Sequence, residues 1–373
     1  MDYTTRSAGR LCQACLAVTI LLSSSKAHEL PSLDTSKVHT VEQFSKLWRK
    51  NFQAYNCSLQ THIEWSPISE DVTFWCFNRK TGKFRYTLND LNDFGDILEH
   101  NQPTVLFIHG WLQDRTQFAK EVKQLSLTTT DRNYCLVDFE PLAHIELEPF
   151  RDLVSPRVAT YVAGFVQGLG SIGIPPRQVT LVGEGVTAHL AGHVGAILEG
   201  NLGAIIGLDP LGPFFTTGPK LQTRRLTLDP SDARWVQVWY TSVGQLGSSI
   251  PLGHQNIYIN GGLHPQPYCA CFSKTFGANN LLTELCSHNF AVKVFKASFD
   301  PSIDLVATRC RNYKDFLAGS CDNRKAAEPT GDGTDAGRFY IETSCRHPFL
   351  LHPSALQDQL NPLQPSTARK DSQ

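Results

Sequence analysis

Between Pro103 and Tyr240 the chain repeats one alternation. A short continuous apolar run is followed by a longer stretch with apolar residues every three or four positions. The runs Thr104–Ile108, Tyr134–Phe139, Val179–Val182, Ala204–Leu208 and Trp235–Tyr240 have the length of buried strands. Val158, Val162, Phe165 and Leu169 share one helical face, and Val186–Leu198 is a second helix rich in Ala, Val and Leu. Strands that are apolar on both faces belong in a parallel sheet covered on both sides. Right-handed crossovers then favour a doubly wound α/β arrangement.

The flanks differ. Asp71–Phe77 alternates like a half-buried strand, while the chain beyond Gly261-Gly262 reads as cysteine-rich and irregular. From Pro353 onward it is polar and aperiodic, and disorder is expected. There is no internal repeat. The expected organisation is a leader over 1–27, one α/β domain over 28–354 and a disordered tail over 355–373.

Composition changes little in this picture. Apolar residues make up 41% and charged ones 18% of the 373 residues, with a formal net charge of −1. That balance gives no reason to expect a nucleic-acid partner. The N-terminus is more telling. Arg6 and Arg10 precede an apolar run from Leu11 to Leu22, and small residues follow at Ser25 and Ala27. This is the order of a secretory leader cleaved after Ala27, and the run is too short to span a bilayer. An extracellular, oxidising compartment is therefore expected. Of eleven cysteines, Cys12 and Cys15 leave with the leader, and the odd remainder leaves at least one free or intermolecular. Asn56-Cys57-Ser58 is a formal glycosylation sequon.

The chemistry turns on the segment from Gln178 to Gly192. It reads strand, sharp turn, helix, with glycines at 183 and 185. An α/β-hydrolase places its G-x-S-x-G nucleophile elbow in such a segment. Here the serine position holds Gly185 and the last glycine position holds Thr187. A dinucleotide-binding turn competes for the same residues. Gly183, Gly185 and Ala188 fit G-x-G-x-x-A, and Asp209 ends the next strand as a ribose ligand would.

Several motifs outside this unit agree in order with one family. Phe107-Ile-His-Gly-Trp111 resembles an oxyanion-hole segment, and Leu136-Val-Asp-Phe139 a V-D-W strand end. Ile206–Pro213 resembles G-L-D-P-A-x-P with a triad acid, and Leu228–Ala233 a calcium loop. Asn260-Gly-Gly with Gln266-Pro-Tyr-Cys269 resembles N-G-G…Q-P-G-C, and Cys286–Ala291 resembles C-S-H-x-R-A with a triad histidine. From Val38 to about Ser354 the chain thus resembles the pancreatic-lipase family of secreted animal lipases, which have the α/β-hydrolase fold.

The resemblance implies roles residue by residue. Asp209 matches the triad acid and His288 the triad base, and the backbone N–H groups of Trp111 and Val186 match the oxyanion hole. Gly185 matches the nucleophile, yet glycine has no group for the histidine to deprotonate. Thr187 is the nearest substitute hydroxyl, but at the helix start it should point away from His288. Its branched side chain is also expected to hinder a serine restored at 185. Asp229 and Asp232 match calcium-binding carboxylates, although an Asp-Pro-Ser-Asp turn whose carboxylates cap backbone amides is an equal alternative. Cys269–Cys286 matches the disulfide closing the family's lid, Cys310–Cys321 matches another, and Cys57–Cys76 fits an N-terminal hairpin by position. The lid, Ala270 to Leu285, and the stretch Ser242 to Leu252 are brief, as in the phospholipase A1 branch. Two departures are Glu184, where the family has His, and Tyr240-Thr241, where it has H-T.

These readings imply a lipase-like protein without hydrolytic activity, resembling the serine-lacking yolk proteins of flies, that binds or carries an apolar lipid or serves in storage or reproduction. The alternative is an active triglyceride lipase or phospholipase A1 with a non-standard nucleophile, and a third possibility is a module that binds a protein through its surface.

Overall fold

Apolar runs of four to six residues cannot bury both faces unless something covers each side, and the chain supplies helices for both. The computed structural model describes residues 69–78, 82–90, 98–128, 132–216, 226–276, 280–300, 306–321, 323–326, 335–346 and 349. The expected leader, the tail and Cys57 lie outside them.

The strands are β1 (Thr73–Asn78), β2 (Gly82–Tyr86), β3 (Thr104–Ile108), β4 (Asn133–Asp138), β5 (Val179–Glu184), β6 (Leu202–Leu208), β7 (Ala233–Tyr240), β8 (Gln255–Ile259), β9 (Val306–Arg309), β10 (Asn323–Ala326) and β11 (Gly337–Ile341). They form one sheet in the order β10-β9-β11-β8-β7-β6-β5-β3-β4-β1-β2. The run from β11 to β4 is parallel throughout, and antiparallel pairs occupy both edges. This is the α/β-hydrolase fold.

The principal helices are α1 (Thr116–Thr128), α2 (Ser155–Gly168), α3 (Val186–Ile197), α4 (Pro267–Phe276) and α5 (Asn280–Ala297). Alternation along the central strands divides the core. Leu106, Ile108 and Leu181 pack with Val162, Phe165 and Leu190 of α2 and α3 on one face. Val105, Phe107 and Val182 pack with Phe118 of α1 and Phe290 and Phe295 of α5 on the other.

Two expectations are corrected. The region after Gly262 is not irregular, since it contributes α4, α5 and β9 to β11. Cys76 is not bridged to Cys57. It sits directly opposite Cys135 across the antiparallel pair β1–β4, with Cα atoms 4.1 Å apart, and is bonded to it. Adjacent strands bring facing residues within disulfide reach, so a partner in the neighbouring strand of the sheet takes precedence over one nearby in sequence. Cys269–Cys286 and Cys310–Cys321 are both bonded, and Cys345 is a free thiol.

Strand order fixes where a site can form. From β3 the chain moves outward to β4, then returns to the other side of β3 as β5 and continues through β6, β7 and β8. That reversal opens a crevice outside the carboxyl ends of β3 and β5.

Candidate functional site

Gly185 and Asp209 follow directly on β5 and β6. The strand ends are level, with Glu184 opposite Leu208. Gly185 N–H donates to Leu208 O at 2.9 Å, Leu211 N–H to Gly185 O at 3.2 Å, and Asp209 N–H to Trp239 O at 2.7 Å. The turn is thus stitched to its neighbours on both sides. Gly185 has φ +55° and ψ −115°, a conformation that strains any residue with a Cβ. Gly183 is needed for space instead. A Cβ there would lie 2.4 Å from Thr187 O, where α3 turns back over the strand.

Asp209 is fully buried with φ +43°. Four donors converge on its carboxylate. Thr241 N–H at 2.8 Å and Ser242 N–H at 3.1 Å reach Oδ1, while the Ser242 hydroxyl and His288 Nδ1 at 2.7 Å reach Oδ2. With its oxygens engaged inside the protein, Asp209 is not free to bind a ribose, which removes the dinucleotide alternative.

His288 stands on α5, held in place from several directions. The Cys269–Cys286 bridge ties α5 to α4 two residues upstream. The Thr241 hydroxyl donates to His288 O at 3.4 Å, and Ser287 Oγ accepts from Gln266 N–H at 3.1 Å. Gln266 in turn donates to the carbonyls of Thr241, Ile259 and Leu263, and its own Oε1 accepts from Asn260. The Asn260…Gln266 pair is therefore scaffolding that fixes the loop presenting Thr241 and Ser242 to Asp209. Sequence reasoning gave no role to Ser242, because only its position beside the Asp209 carboxylate reveals one.

The imidazole of His288 bonds Asp209 through Nδ1 and turns its other edge to Gly185. A Cβ on Gly185 would lie 2.8 Å from His288 Nε2 and 3.4 Å from Cε1. Burial pulls the His288 pKa down, but the hydrogen bond and charge of Asp209, with the charge of Glu184, outweigh it and raise the pKa.

Glu184 lies 3% exposed directly before the turn. Gln117 Nε2 donates to its Oε2, and its Oε1 has no partner. Burial raises its pKa, against the charges of His288 and Lys296. Thr187 is fully buried, and its hydroxyl donates to Glu184 O at 2.9 Å and accepts from Glu184 N–H at 3.0 Å. The hydroxyl braces the last residue of β5 and does not face His288. The expectation that Thr187 would obstruct a serine at 185 is corrected by the same geometry, since the side chain meeting a new Cβ is His288.

Val186 opens α3, whose N-cap Gly185 offers no side chain, so first-turn N–H groups face the crevice end of the strand. Trp111 follows β3, half-buried, with its indole N–H bonded to Ile145 O at 2.7 Å. Beneath it, His109 stacks on Phe139 with ring centroids 4.0 Å apart and accepts from Phe139 N–H at 3.1 Å.

Asp229 and Asp232 lie apart from this cluster and form a reciprocal capping box. Asp229 Oδ1 accepts from Ser231 N–H at 2.7 Å, and Asp232 Oδ2 accepts from Asp229 N–H at 2.9 Å. No group of three or more His, Cys, Asp or Glu side chains suited to a metal occurs among the described residues. In this turn the two carboxylates cap backbone amides, as one of the two alternatives read from the sequence has them.

A sheet with its acid and histidine at these strand ends defines an α/β-hydrolase scaffold. The lipase family model matches residues 39–353, and the chain belongs to that family. It is 38% identical over 160 residues to phospholipase A1 member A of Bos taurus, covering 43% of this chain and 33% of that protein. Lipase member H of Rattus norvegicus is 30% identical over 226 residues, covering 60% and 48%. Phospholipase A1 member A of Rattus norvegicus is 31% identical over 275 residues, covering 69% and 58%. The chain thus spans between a third and three fifths of the length of these relatives. Among solved structures, the esterase Est2 of Thermogutta terrifontis is 12% identical, covering 51% of this chain and 72% of that one, with a TM-score of 0.32.

Proposed function

We propose that this protein is a secreted lipase-family member that binds a lipid in its cleft and does not hydrolyse it. The observation that carries the reading is Gly185, the residue beneath His288 Nε2. Acyl transfer by an Asp–His pair needs a hydroxyl or thiol whose proton the imidazole can take. Glycine has none, and the neighbouring Thr187 hydroxyl is engaged with the Glu184 backbone. Trp111 and Val186 are proposed to retain the N–H groups of an oxyanion hole, which alone give only a residue of the catalytic rate. Among the described residues no helix is long and apolar enough to cross a membrane. The relatives named lipase and phospholipase A1 support a lipid as the ligand class.

Turnover assays with triacylglycerol, phospholipid and short-chain esters test this. The purified protein should match a no-enzyme control on every substrate. Hydrolysis that disappears in Thr187→Val would identify Thr187 as the nucleophile and refute the proposal.

A further inference from the structure

The crevice lies at the carboxyl ends of the strands. At their amino ends is a second cavity, which the Asp209–His288 pair does not touch. It has a volume of about 580 Å³ and opens between the starts of β5, β6 and β7 and the closing turns of α2 and α3. Two arginines line it from different elements. Arg177 lies in the turn Pro176–Gln178 that leads into β5, and Arg234 is the second residue of β7. Both are exposed, and neither guanidinium has an ion pair or hydrogen bond among the described residues. An arginine beside a helix end can serve to bond its last carbonyls. At the end of α3 that work is already done. The carbonyls of Val194, Gly195 and Ala196 accept from the N–H groups of Leu198, Gly200 and Glu199, and Leu198 O accepts from Asn201. Glu199 lines the same cavity and pairs with neither arginine. The cavity thus holds two cations against one carboxylate, and an excess of positive charge in a concave site attracts an anion. Pro175, Pro176 and Ile197 add an apolar wall.

We propose that this cavity binds a small phosphate monoester whose organic part carries a hydroxyl or ammonium group. Each guanidinium is a planar fork that matches pairs of oxygens. Two forks offer more donors than one carboxylate can accept. A phosphate monoester has three terminal oxygens and a charge of about −1.5 to −2 at neutral pH, so it can engage both. Glu199 supplies the acceptor for a donor on the ligand and disfavours an anion that lacks one. The volume suits a molecule of this size. The site stands at the opposite end of the sheet from Gly185 and His288, so it does not depend on how the crevice is read.

Titration calorimetry on the full protein at low ionic strength, with glycerol phosphate, phosphoethanolamine, inorganic phosphate and succinate, tests this. At least one monoester should bind more tightly than inorganic phosphate and succinate. Glycerol phosphate ahead of phosphoethanolamine identifies the hydroxyl as the second group, and the reverse order the ammonium. Arg177→Gln and Arg234→Gln should each weaken the monoester about tenfold, the loss of one charge-assisted contact. Both residues are exposed, so the fold should survive the change. Arg85→Gln, on the edge strand β2, controls for general surface charge and should leave affinity unchanged. Glu199→Gln should close the gap between the monoester and inorganic phosphate. In the unmodified protein the phosphorus resonance of the monoester should shift on binding, a readout that needs no variant. Succinate binding as tightly as the monoesters would overturn the phosphate assignment. Unchanged affinity in both arginine variants, or no binding of any phosphate, would overturn the site.

Discussion

At position 185 backbone and side chain make opposite demands. The turn sits at φ +55°, which only glycine adopts without strain, and His288 Nε2 occupies the room next to a Cβ. A serine there pays for strain of roughly 1–3 kcal/mol and must also displace the imidazole. We therefore expect Gly185→Ser to lower stability by on the order of 2 kcal/mol in urea unfolding. An unchanged unfolding midpoint would mean that the turn already tolerates a side chain. The residue type was legible from the glycine spacing and the flanking motifs. The position of His288 was not, because a pattern of letters cannot show that an imidazole has closed over the missing side chain. The backbone-directed Thr187 hydroxyl escaped for the same reason, since threonine at a helix start can point to solvent or back onto the chain.

The elements divide by how much of their burial is visible in one dimension. β3 to β7 were legible because they are buried on both faces and read as unbroken apolar runs. α5 was not. Phe290, Ala291, Val294 and Phe295 are core, while Cys286 is bridged and Ser287 and His288 serve the site, so polar and apolar positions do not separate into one stripe. β9 and β10 are four residues each and too short to show a period. β1 and β4 were each legible as strands, but their pairing was not, and the bridge went to the wrong partner. Non-reducing peptide mapping should recover Cys76 joined to Cys135, and Cys76→Ala with Cys135→Ala should cost about 3 kcal/mol of stability. A Cys57–Cys76 peptide would contradict the edge of the sheet. The end of β4 carries a second signal. Asp138 is buried, which raises its pKa, but His109 and Arg115, whose Nη1 is 2.6 Å from Oδ2, bring it down to about 2. A pKa below the ordinary 3.8 means that the ionised form stabilises the fold. That stability is present above pH 4 and is lost as pH falls through 2. Asp138→Asn should remove on the order of 2 kcal/mol of stability at neutral pH and flatten the acid limb between pH 4 and 2. Parallel acid limbs in the two proteins would show that Asp138 gains nothing from its partners.

Across the whole molecule, the parts that shape an α/β-hydrolase site persist around a nucleophile position that is empty. Strand order places the crevice, the Asn260–Gln266 network holds the Asp209 loop, and the Cys269–Cys286 bridge sets α5. These features serve folding as well as chemistry, so their presence says nothing for hydrolysis, and the activity question reduces to whether any hydroxyl or thiol can be acylated. Intact-mass measurement after exposure to a fluorophosphonate answers it, because such reagents add covalently to an activated serine, threonine or cysteine without requiring turnover. The unmodified protein should keep its mass. A stoichiometric adduct that is lost in His288→Ala would contradict it.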